Sequence, residues 1–214
     1  MSIPTNVADE LLSTTRAIRK RLDFGRPVPR DVILDCIRLS QQAPTGGNQQ
    51  GWRWIVVTDP AKRSALAALY REVTKAYFAV ATEQAQSSGQ LQTARVYSSA
   101  DYLADHLHEA PALVIPCLVG RPGETVATQS AFYGSIYPAI WSFNLALRAR
   151  GLGTALTTMH LMREVESAAI LGVPEGVTQI ALLPVAYTIG DQFKPADRPP
   201  AESVTYFDTW GETV

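Results

Sequence analysis

Cysteine and histidine are scarce here: two cysteines and three histidines in 214 residues. Cys36 and Cys117 stand among apolar neighbours, as small core residues do, so neither a disulfide framework nor a zinc-binding spacing can be drawn. His106 and His108 fall two residues apart in a helical stretch and therefore face different ways, which is poor geometry for a shared metal. Both read as surface or interface residues, and no metal is expected. An excess of charge is also missing. With 19 basic and 20 acidic residues, and a net charge of -1, the chain has no field to gather nucleic acid or an anionic membrane surface. No apolar run approaches the length of a bilayer span, and Met1 to Thr5 lack a basic n-region and an apolar h-region. A cytoplasmic protein with no nucleic-acid and no membrane partner is expected. Gly151-Leu152-Gly153 is not a dinucleotide fingerprint either, because no third glycine follows at the required offset and a strand pattern comes next.

What the chain does have is core material. Its hydrophobic content of 46% suffices for one domain spanning 1–214. Periodicity predicts helices over 6–20, 30–42, 61–86, 91–109, 128–150 and 162–171, and strands over 52–57, 111–119, 154–159 and 177–187. Ser87-Ser88-Gly89 divides a helical excursion around 61–109, which reads as a mobile lid. The stretch 128–150 is apolar on so many sides that it must be buried, in the core or against a second subunit, and Pro138 predicts a kink in it. The extended tail 190–214 carries Tyr206, Phe207 and Trp210 and is too short to make its own core, so it must pack on its own body or a partner.

The stretch with most chemistry is Ala43-Pro44-Thr45-Gly46-Gly47-Asn48-Gln49-Gln50-Gly51-Trp52, between a helix and a strand. Its glycines let backbone amides approach a ligand closely. Its three carboxamides each offer a donor and an acceptor, as a heteroaromatic edge rich in N–H and C=O requires. An ordinary loop uses the same residue types. Arg16, Arg19 and Lys20, at helical offsets of three and four, can converge on one anion; a solvated basic helix end is the alternative.

Taken together, four patches resemble the FMN-dependent nitroreductase family. Arg16-Ala17-Ile18-Arg19-Lys20 is similar to its N-terminal Arg-rich signature. Ala43 to Trp52 resembles its A-P-S-x-x-N-x-Q-P-W motif, with Gly51 in place of proline. Gly151-Leu152-Gly153-Thr154 through Met159-His160 resembles the strand and loop over the flavin, and Arg198-Pro199 its C-terminal arginine. The resemblance implies an α+β, three-layer fold whose central mixed, mainly antiparallel β-sheet is flanked by helices, in a homodimer with FMN at the interface. It implies that Arg16 and Arg198 bind the FMN phosphate, Lys194 standing in for a lysine absent at Ala196. Ala17 lacks the usual serine hydroxyl. Arg19 or Lys20 would stabilise the reduced flavin anion. Pro44, Thr45, Gly46, Asn48 and Gln50 would serve the flavin's polar edge, and Thr157, Thr158 and Met159 would lie over its central ring. No catalytic side chain is strictly required; His160 is the candidate acid, a rim histidine without a role being the alternative. The implied activity is NADH- or NADPH-dependent reduction of a small-molecule electron acceptor, a nitroaromatic, quinone or related electrophile, by a ping-pong mechanism. Another enzyme on the same fold (a dehydrogenase, reductive dehalogenase or flavin-fragmenting enzyme) and a non-catalytic flavin- or deazaflavin-binding protein are the competing readings.

Overall fold

The computed structural model describes residues 4–212. These fall into two compact units, one running from Arg16 to Asp191 and the other made of the described residues up to Thr15 together with those from Gln192 onward.

The larger unit is built on an antiparallel sheet of six short strands: β1 (Leu22–Asp23), β2 (Trp52–Val57), β3 (Ala112–Val119), β4 (Leu152–Gly153), β5 (Val177–Gln179) and β6 (Leu183–Thr188). The order is β1-β6-β3-β2, with β4 on β6 and β5 on β3. Every ladder is antiparallel; the mixed character expected from the resemblance is confined, among the described residues, to an isolated parallel bridge between Gly120 and Val177. β3 is the axis. Ala112, Val114 and Leu118 point into a core shared with helix α2 (Arg30–Ser40) and helix α6 (Tyr137–Arg148), while the alternate residues Leu113, Ile115 and Cys117 are equally shielded on the other face. A strand covered on both sides explains its unbroken apolar sequence. α6 presents Ala139, Ile140, Phe143, Ala146 and Leu147 to that core, the spacing of one helical stripe.

Helices α3 (Pro60–Ser87) and α4 (Leu91–His106) form the excursion between β2 and β3. Asp59 caps α3 by accepting from the Lys62 amide at 2.8 Å, with Pro60 in the first turn, where its missing N–H costs nothing. Helix α7 (Glu164–Leu171) ends at Gly172, whose φ of 71° is the left-handed C-cap that glycine adopts freely.

Three expected elements differ. The single helix over 128–150 is two, α5 (Val126–Gly134) and α6, broken at Ser135-Ile136. Pro138 does not kink a continuous helix; its ring would clash with the carbonyl four residues back, so it sits in the first turn of a new one. The strand expected over 154–159 does not form: pairing lies just before it, in β4, and within it only Thr157 bridges, to Leu182. The last strand is split into β5 and β6 before Pro184, which is accommodated inside β6 opposite Leu113.

In the smaller unit, helix α1 (Thr5–Thr14) stops well short of the expected Lys20. The Thr14 and Thr15 hydroxyls donate to the carbonyls of Glu10 and Leu11, and Thr15 is already extended. Residues 16–18 accordingly have no helical structure, so the helical convergence of Arg16, Arg19 and Lys20 does not form. Among its described residues the tail has one short 3-10 turn, Ala201–Val204, and sets the Tyr206 and Trp210 rings tilted against each other at 4.8 Å while leaving Phe207 and Trp210 exposed. Among the described residues no helix is long and apolar enough to cross a membrane.

In the larger unit the approach of Ile18 to β4 is the tightest constraint near the cleft described below. The Ile18 amide donates to the Thr154 carbonyl at 2.8 Å, and a Cβ on Gly153 would lie 2.8 Å from Thr188 Cγ2 and 2.9 Å from Ile18 Cδ1. Gly153→Ala is therefore expected to destabilise by about 1–3 kcal/mol, the cost of overpacking, read as a lower denaturant midpoint at unchanged slope.

Candidate active site

Arg19 begins the site. Held by the Ile18–Thr154 hydrogen bond and by its own carbonyl accepting from the Leu22 amide at 3.1 Å, it extends its guanidinium to donate to Ser99 Oγ of α4 at 3.2 Å. It lines a cleft of about 240 Å³ together with the loop Leu156 to Met159 and residues of α3 and α4. The structure thus brings together Arg19, Thr157, Thr158 and Met159, four of the residues singled out from sequence. It adds Tyr70, Tyr77, Phe78 and Tyr97, which sequence reasoning missed. The only available signal was the spacing of Tyr70, Tyr77 and Phe78 along α3, consistent with one helix face.

Within the cleft, Thr157 Oγ1 donates to the Tyr70 hydroxyl at 3.0 Å. Tyr70 is 2% exposed, and burial pushes its phenol pKa up, partly offset by the Thr157 hydrogen bond and by Arg19. The phenol is neutral at physiological pH. Burial lowers the Arg19 pKa, an effect that Tyr70 opposes. Tyr77 and Tyr97 meet edge to face at 6.0 Å and close one wall with Phe78. No carboxylate lines this cleft among the described residues.

The glycine-rich loop lies on a second cleft, of about 550 Å³, lined by Gly46, Gly47, Gln49 and Gly51 opposite Arg121 and Phe132. Ser135 Oγ accepts from the Gly46 amide at 3.0 Å, which anchors the loop to the end of α5. Gly47 and Asn48 follow with φ of 58° and 56°. Positive φ at Asn48 is the strained conformation often retained at functional sites, and its exposed carboxamide accepts from Gln50 Nε2 at 3.3 Å. Pro44, Thr45, Asn48 and Gln50 belong to this loop but do not line the cleft, and the two clefts share no residue. Arg121 is already engaged, by Glu164 at 2.6 Å and the Glu175 carbonyl at 3.0 Å. Arg16, Ala17 and Lys20 are exposed beside the first cleft's Arg19 in sequence, Lys20 lying 5.9 Å from the Tyr102 ring centroid. Lys194 and Arg198 belong to the smaller unit, where Arg198 donates to the Asp197 carbonyl at 3.0 Å.

His160 is not at a rim. It is fully buried, neither ring nitrogen has a partner, and burial lowers its pKa to about 4. At neutral pH it is an uncharged, buried imidazole, a different placement from the rim position considered for it. His106 is partly buried and shares a 2.7 Å contact with Glu109, and His108 is exposed. Among the described residues no cluster of histidine, cysteine, aspartate or glutamate is placed to hold a metal ion.

The fold is α+β, with its central strand covered on both faces, and the Arg19 cleft sets a cation and a hydroxyl pair among aromatic walls. The sequence model of the Nitroreductase family matches residues 12–187, and the chain belongs to that family. It is 25% identical over 178 residues to an iodotyrosine deiodinase of Thermotoga neapolitana, covering 82% of this chain and 86% of that one. It is 28% identical over 212 residues to an NADH dehydrogenase of Thermus thermophilus, covering 91% and 95%. Among solved structures it resembles oxidized iodotyrosine deiodinase bound to FMN and 3-iodo-L-tyrosine, with a TM-score of 0.71 over 94% of this chain and 99% of that one. At 18% identity that last likeness is one of fold.

The buried histidine carries a pH signature. Its folded pKa of about 4 lies below the ordinary 6.5, so the unfolded chain binds the extra proton between those values. Stability from this group is fully present above pH 6.5 and is lost as pH falls towards 4. The loss is on the order of 3 kcal/mol. His160→Gln is expected to flatten that part of the stability profile, measured by denaturant unfolding at pH 7, 5.5 and 4.5.

Proposed function

We propose that this chain is an FMN-dependent oxidoreductase that takes electrons from NADH or NADPH and reduces an uncharged nitroaromatic, quinone or related electrophile by a ping-pong mechanism, as a homodimer. The observation that carries the reading is the convergence of Arg19, Thr157, Thr158 and Met159 on one cleft. These come from two separate patches of sequence that resemble flavin-contacting segments. The donor set fits a flavin: a fixed cation for an electron-rich edge, a hydroxyl, and apolar and aromatic surfaces for the flat ring. When bound, FMN supplies the two-electron chemistry between nicotinamide and acceptor. The protein's part is to bind and orient. Arg19 opposes the negative charge of the reduced ring from a partly desolvated position, where a charge acts more strongly than in water. A contribution of about 1.4 kcal/mol would raise a two-electron potential by about 30 mV. Within the larger unit, Arg16 is the proposed phosphate ligand and Asn48 is proposed for the flavin's polar edge.

Two features support a second copy in the working unit. The Arg19 cleft, at about 240 Å³, is below the roughly 300–1,000 Å³ of a complete small-ligand site, and the carboxamide loop sits on a different cleft of the same chain. Alongside that loop, α5 has no buried residue, and α6 exposes Tyr137 and Trp141 at 39% and 43%. This apolar strip suits an isologous interface that would join the carboxamide loop of one copy to the Arg19 cleft of the other.

Reductive dehalogenation is the second reading, favoured by the iodotyrosine deiodinase relatives. The cleft's own lining favours an uncharged acceptor, since an amino-acid zwitterion needs an anionic partner for its ammonium group and among the described residues this cleft supplies none.

Purified protein is expected to be yellow, to release FMN identified by mass, and to bleach anaerobically with NADH or NADPH. Reoxidation by a nitroaromatic or a quinone should then outpace reoxidation by 3-iodotyrosine. Bound FMN that neither nicotinamide reduces would sink the oxidoreductase reading, and preferential release of iodide would select the dehalogenase. Trp141→Arg is expected to yield a monomer by light scattering and to weaken FMN binding at least tenfold; a variant still dimeric at micromolar concentration would argue against this interface.

A further inference from the structure

Thr157 has few polar groups left to offer the Arg19 cleft. Its amide donates to the Leu182 carbonyl at 3.1 Å and its carbonyl accepts from the Leu182 amide at 2.8 Å, so its backbone is committed to the bridge. The side-chain hydroxyl remains, with one proton and two lone pairs. That proton is directed at the Tyr70 oxygen, 3.0 Å away. Tyr70 reaches it from α3 and is itself packed at 2% exposure, so the acceptor cannot drift away as a surface group would. With its proton taken, Thr157 presents lone pairs towards the cleft it lines.

We propose that Tyr70 is a positioning residue that sets the polarity of the Thr157 hydroxyl, making it a hydrogen-bond acceptor towards the cleft and thereby favouring the reduced form of a flavin ring held there. The inference rests on the flavin reading above. Two-electron reduction converts a lone-pair nitrogen of the isoalloxazine ring into N–H. An acceptor facing the ring is satisfied by the reduced form, whereas a donor is satisfied by the oxidised form. The hydroxyl pair transfers no proton to the ring in this scheme; it weights an equilibrium. Removing the Tyr70 oxygen frees the Thr157 proton to turn into the cleft and reverses that weighting.

Redox titration of the FMN-loaded protein against reference dyes tests this, using Tyr70→Phe, Thr157→Val and the double variant. Tyr70→Phe keeps the packed ring and is expected to lower the reduced-to-oxidised ratio at fixed potential up to tenfold, a shift of about 30 mV for a two-electron couple. Because Tyr70 acts through Thr157, it should have no further effect once Thr157 is valine, which is a non-additive cycle. Thr157→Ser should retain the wild-type potential, and this comparison with Thr157→Val keeps the test decisive if Tyr70→Phe fails to fold. An unchanged potential in Tyr70→Phe, a shift in the opposite direction, or an equal shift in the Thr157→Val background overturns the inference while leaving the flavin reading intact. Wild-type protein that takes up no FMN overturns both.

Discussion

The crossing of Ile18 over β4 is the constraint on which the site depends. It requires that Gly153 carry no side chain, because a Cβ there would fall within 3 Å of both Ile18 and Thr188. The approach lets the Ile18 amide reach the Thr154 carbonyl, and the chain then turns through Arg19 into β1, which pairs with β6. This close contact and the β1–β6 ladder together tie the arginine-bearing segment to the sheet. They also aim Arg19 at α4, where Ser99 receives it. If the segment were displaced, Arg19, the Thr157 loop and the α3–α4 pair would no longer share a cleft.

Around that anchor the electrostatics are simple. A half-buried cation faces neutral hydroxyls and aromatic rings, with no carboxylate in the lining to cancel it. Such a cleft favours a flat group that becomes more negative as it reacts. The glycine and carboxamide loop has the complementary character: exposed, rich in donors and acceptors, and anchored where Gly46 donates to Ser135 and where the Gly51 carbonyl accepts from the Val119 amide. Its left-handed Gly47-Asn48 step holds the Asn48 carboxamide out from the body. One cleft is thus electrostatic in character and the other offers hydrogen-bonding groups.

Much of this was legible in the chain. β2 is a run of β-branched and aromatic residues, β3 is continuously apolar because both of its faces are covered, and Gly172 ends α7 as its position required. The motif patches pointed to Arg19 and to Thr157 to Met159. Other features were misread because local pattern competes with tertiary demand. The helical periodicity over 6–20 runs past the point where Thr14 and Thr15 turn their hydroxyls back on the helix and Ile18 is drawn to Thr154. His160 looked accessible beside a loop, yet the packing around the Met159–Arg163 turn seals it completely.

By itself, the sequence determined the class of fold and the likeness to flavin oxidoreductases, because each depends on short motifs and on periodicities within single elements. Only the tertiary structure decided which side chains meet in the Arg19 cleft. Tyr70 and Thr157 are 87 positions apart, and Arg19 and Ser99 are 80. Contacts over such separations are written in no local pattern: they arise from how α3 and α4 fold back beside the sheet, and from the single missing Cβ that lets Ile18 approach it.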